Sequence, residues 1–63
     1  MAETTIAARI AQARQELAHA TSLGARPAWA ELSDVEREIA EATAAQYLAA
    51  ILAAGLVVVE RGT

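Results

Sequence analysis

The chain has 63 residues, a net charge of −3 and no cysteine. Of its 35 hydrophobic residues 18 are alanine, which leaves 17 larger apolar groups: six Leu, four Ile, four Val and single Met, Trp and Tyr. Burial yields roughly 25 cal/mol per Å², and alanine offers little area; this composition excludes a disulfide scaffold, a thiolate metal site and an ordinary self-sufficient core.

The first predicted element is a helix over about residues 5–23. Ile6, Ile10, Ala13, Leu17 and Ala20 recur at steps of four, three, four and three, which sets them on one side of a helix. Arg9, Gln12, Gln15, Glu16 and His19 fall on the remaining faces. Thr4 or Thr5 can accept from an unpaired first-turn amide, and Gly24 stands where a helix closes on a left-handed residue. The stripe is too short for an independent coiled coil, so this helix needs a surface to lie against.

Residues 24–33 form a connector. Pro27 turns Arg26 away from helix, and Trp29 and Leu32 are the large apolar groups in this stretch. Both are expected to serve as packing anchors, with Trp29 folding back over the open end of a helical hairpin. Ser33-Asp34-Val35-Glu36 is a capping box: the Ser33 hydroxyl serves the third amide of the helix and Glu36 reaches back. Asp34, Glu36 and Glu38 add negative charge where the helix dipole is positive.

The second helix is predicted over about residues 34–54, with Gly55 as its C-terminal glycine and Leu56 able to touch Ile51. Val35, Ile39, Ala42, Ala49 and Ala53 form one line along it, and Tyr47, Leu48, Ile51 and Leu52 lie on the opposite side. A helix apolar on two sides is covered on only one by a two-helix hairpin. The other side implies a second chain. Residues 56–60, Leu56-Val57-Val58-Val59-Glu60, read as a short strand or extended tail, which has no strand partner within the sequence.

Catalytic chemistry is poorly provided for. One His, one Asp, no Cys and no Lys leave few ways to assemble a nucleophile, a base and an orienting group. The three glycines are dispersed and form no phosphate-cradling loop. Glu16-Leu17-Ala18-His19 is a Glu-x-x-His pair of the kind that builds di-iron sites in four-helix bundles, with Glu38 or Glu41 as further carboxylates. Its ligands point away from the Ile6/Ile10/Leu17 stripe, so a solvated helix end is the expected reading. No enzyme activity, metal or cofactor is expected.

Three other settings can be weighed. Residues 42–59 carry no charge between Glu41 and Glu60, which is the lower edge of a membrane-spanning length. Thr43, Gln46 and Gly55 interrupt that run, and no basic cluster flanks it, so membrane association is disfavoured. The arginines at 9, 14, 26, 37 and 61 are too scattered to follow a row of phosphates. Residues 53–63 look like a recognition helix entering a wing, but the preceding helix lacks a helix-turn-helix bend, so a winged-helix DNA-binding regulator is only a lesser alternative. Met1–Thr5 has neither the basic start nor the apolar stretch of a secretory signal, and the bacterial cytoplasm is the expected location.

The stretch Pro27-Ala28-Trp29-Ala30-Glu31-Leu32, then Glu36-Arg37, then Ala53-Ala54-Gly55-Leu56, covers roughly residues 27–60. It resembles short Ala- and Arg-rich helical proteins of unknown function from actinobacteria and their phages. These share a Trp-x-x-Leu loop, a capped helix and an Ala-Gly-Leu step into an apolar tail. The resemblance implies a bacterial or phage-encoded setting and carries no catalytic residue.

The reading that follows is a single all-α domain over residues 1–63: a two-helix hairpin with a short C-terminal extended or β segment, completed by oligomerisation. Its expected role is protein–protein interaction or assembly as a homo-oligomer, a dimer first. Tyr47, Leu48, Ile51, Leu52, Leu56 and Val58 are the expected interface, and helix 2 with the Val57–Val59 tail could also take a heterologous protein. The alternative is a structural subunit of a larger particle, such as a minor virion protein or membrane-associated coat component.

Overall fold

The computed structural model describes residues 5–61. Two helices, α1 (Ile6–Thr21) and α2 (Asp34–Ala53), form a hairpin joined by a connector that carries one 3-10 turn, Trp29–Glu31. Each start is capped by a hydroxyl. The Thr5 Oγ1 accepts from the Ala8 amide at 3.0 Å, and Ser33 accepts from the Glu36 amide at 3.2 Å while Glu36 accepts from the Ser33 amide at 2.9 Å. This is the predicted capping box.

Both helices end in the same paired motif. In α2 the Leu56 amide donates to Ile51 at 3.2 Å and Gly55 donates to Leu52 at 3.1 Å, with Gly55 at φ +85°. In α1 the Gly24 amide donates to His19 at 3.0 Å and Leu23 to Ala20 at 3.2 Å. Two consecutive left-handed residues close α1: Leu23, at φ +53°, and the expected Gly24, at φ +86°.

The helices meet on small side chains. Ala11 and Ala44 are the buried hydrophobic residues, 3% and 1% exposed. Along α1 and its C-cap the covered line is Ala8, Ala11, Gln15, Ala18 and Ser22; in α2 it is Arg37, Glu41, Ala44, Leu48 and Ile51. Both lines follow alternating steps of three and four, the spacing of a paired-helix seam. Alanine at the centre of each line allows the backbones to approach closely.

This corrects the expected face of α1. Of the predicted stripe only Ile10 is half-buried, whereas Ile6, Ala13, Leu17 and Ala20 are exposed. The face carrying Gln15, Glu16 and His19 turns toward the connector because those side chains hold its backbone, and α2 follows the connector onto the alanine line. Trp29 is also relocated. It sits half-buried at the connected end of the hairpin, between Glu16 of α1 and Arg37 of α2, and not over the open end.

The C-terminal segment is irregular chain, and there is no strand among the described residues. Instead Val58, Val59 and Glu60 return beside Ile6, Arg9, Ile10 and Ala13, bordering an apolar groove of about 610 Å³. The Arg9 guanidinium pairs with the Glu60 carboxylate across this groove. A lone β-branched run has no second strand to satisfy its backbone, so it lies against a helix as open chain.

Candidate functional site

The polar side chains gather at the connector. Gln15 Nε2 donates to the Pro27 carbonyl at 2.7 Å, and Glu16 Oε1 accepts from the Trp29 amide at 3.1 Å. His19 Nδ1 lies 2.7 Å from the Arg26 carbonyl. A carbonyl only accepts, so this ring nitrogen carries the proton. From α2, Arg37 Nε donates to the Trp29 carbonyl at 3.2 Å and Nη2 to the Ala30 carbonyl at 3.1 Å, and its guanidinium lies 5.7 Å from the Trp29 ring centre. The Glu36 carboxyl is held below its ordinary pKa by the Ser33 backbone amide, with the Ser33 hydroxyl adding to the effect.

These groups hold the connector against the two helices. Glu16 and His19, set aside above as a solvated helix end, are engaged with the connector, and His19 is half-buried. That engagement was not visible in helical spacing, because it depends on where the loop returns. Among the described residues no three His, Asp or Glu side chains come together as a metal site would require.

The apolar side chains have the opposite distribution. Eleven of the 16 large apolar side chains among the described residues are exposed. Leu48 and Ile51 are half-buried on the side of α2 that carries Ala44, so part of the expected interface is engaged within the hairpin. Tyr47 and Leu52 flank that seam and are exposed, with the Arg14 guanidinium 5.4 Å from the Tyr47 ring centre. Leu56 and Val57–Val59 are exposed along the tail, and Leu32 is half-buried under the connector.

A second surface lies on the far side of α2. Val35 and Ile39 are 63% and 62% exposed, and Ala42, Gln46, Ala49 and Ala53 are exposed beside them. These six positions again alternate steps of four and three. At 100° per residue they centre roughly opposite Ala44. α2 therefore carries two seams, one filled by α1 and one open. The signal was present as the Val35/Ile39/Ala42/Ala49/Ala53 line; Gln46 completes it, and its polar character is what obscured the repeat.

The arginines are dispersed in space as well. Arg37 serves the connector, Arg9 pairs with Glu60 and Arg14 lies over Tyr47. Among the described residues no helix is long and apolar enough to cross a membrane. The class defined by this geometry is a helical hairpin with polar groups committed to its connector and apolar groups turned outward. No protein-family model matches the chain, and no curated protein or solved structure shows a significant similarity to it.

Proposed function

We propose that this protein is a small, non-catalytic interaction or assembly factor that acts as a homo-oligomer in a bacterial or phage-encoded setting. The observation that carries the proposal is the outward placement of its large apolar side chains. The chain's radius of gyration is 12.8 Å, against about 10.6 Å for a compact domain of this length.

Light scattering of the purified full chain at micromolar concentration, together with circular dichroism, tests this. A dimer or small closed oligomer with full helicity is expected. A monomeric mass with full helicity would overturn the reading.

One observation favours a second reading, a subunit of a larger particle. The Val57–Val59 run is exposed and has no strand partner among the described residues, so a neighbouring sheet edge could take it up. An open-ended mass distribution that grows with concentration would favour this alternative.

A further inference from the structure

We infer that the open seam of α2 is the contact between two copies, and that they meet antiparallel about a two-fold axis near the level of Ala44. This rests on the homo-oligomer reading above and specifies its face, orientation and register. The seam runs Val35, Ile39, Ala42, Gln46, Ala49, Ala53, with all six positions exposed. Its large residues occupy one end and its small residues the other.

An antiparallel two-fold pairing sets Val35 against Ala53 of the second copy, Ile39 against Ala49, and Ala42 against Gln46. Each branched side chain then faces an alanine, so the volume across the seam is even along its length. A parallel pairing would crowd Val35 and Ile39 against their own copies and leave a wedge of space between the alanines. It would also bring together two sets of Asp34, Glu36 and Glu38 at the helix starts. The antiparallel pairing separates these acidic ends by about the helix length, roughly 30 Å for 20 residues, and opposes the two helix dipoles.

Gln46 fits the same geometry. It lies two positions from the proposed axis, opposite Ala42 of the second copy, and the two Gln46 amides, about 6 Å apart along the axis, offer donor and acceptor to each other across it. A polar residue at one seam position fixes register in paired helices.

The absence of cysteine makes the test direct, because introduced thiols are the only ones present. Ile39→Cys and Ala49→Cys chains are prepared separately, then oxidised alone and as an equimolar mixture. Intact mass spectrometry of the full chains should find a disulfide-linked mixed dimer in the mixture. Each variant alone should stay uncrosslinked, because the two copies of residue 39 would lie about 15 Å apart along the axis, beyond disulfide reach. Crosslinking of Ile39→Cys alone, with no preference for the mixed species, would overturn the antiparallel register.

In parallel, Ile39→Glu should weaken dimerisation at least tenfold by light scattering across a dilution series, while Leu52→Glu retains the dimer. If the parent chain is dimeric but the opposite pattern appears, this face is wrong and the homo-oligomer reading stands. If the parent chain is a helical monomer, both fail.

Discussion

The two ends of the hairpin are held by different chemistry. At the connected end, Gln15, Glu16, His19 and Arg37 satisfy the backbone of residues 26–30, and the Arg37 guanidinium covers Trp29. At the open end, one exposed ion pair joins Arg9 to Glu60, and Ile6, Leu52 and the Leu56–Val59 tail stay largely uncovered. The first arrangement is complete within one chain. The second gains most from an outside surface, since apolar area left in water contributes nothing to stability. Between the ends, the seam depends on alanine, and that dependence can be broken first.

Ala44→Leu should have the largest effect. Ala44 is 1% exposed and faces the Ala11 line of α1, so three added heavy atoms force the helices apart. Overpacking of this kind costs about 3 kcal/mol, close to the whole stability of a domain this small. Thermal or urea unfolding followed by circular dichroism should show loss of the cooperative transition. The same change at Ala42, on the open seam, should leave the hairpin folded.

Removing a charge at each end separates the two modes. Arg37→Ala deletes two charge-assisted hydrogen bonds to the connector backbone, one of them part-buried, and the cover over Trp29, and should cost about 2 kcal/mol. Trp29 fluorescence should shift toward the red as the ring becomes more solvated. Arg9→Ala removes only an exposed pair and should cost at most about 0.5 kcal/mol, with no difference left at high salt. Equal losses for the two variants in urea titrations would contradict the contrast between the ends.

The same contrast explains what could be read from the sequence. The caps were legible because they are local: Thr5, Ser33 with Glu36, and Gly55 each act within a few residues. The hairpin was legible from two helical patterns separated by Pro27. The packing face of α1 was not, because periodicity favours Ile6, Ile10 and Leu17 over the alanine line that α2 actually meets. Polar residues on a helix read as solvated until a connector returns to bond them, so spacing alone does not reveal that the exposed Glu16 and half-buried His19 hold the connector. The Val57–Val59 run shows β-branched character, but strand formation depends on a partner strand, and the described residues contain none.

The smallest effect comes from the two helix ends, which share one motif and differ in the residue that closes it. Gly55 occupies the left-handed position after α2 at φ +85° with open space around it. After α1 the same position falls to Leu23, at φ +53° and 95% exposed. A branched-chain L-residue pays a steric penalty of roughly 1–2 kcal/mol in that conformation, and Leu23 has no burial to offset it. Leu23→Gly should therefore stabilise the fold, by about 0.5 kcal/mol once the greater unfolded-state freedom of glycine is subtracted. The mirror change, Gly55→Leu, should destabilise by a similar amount, since space permits the side chain and only the backbone resists it. Thermal melts should then shift by about 3 °C in opposite directions. A stabilising Gly55→Leu would instead mean that the added side chain finds apolar cover beside Leu52 and the Leu56–Val59 tail at the open end.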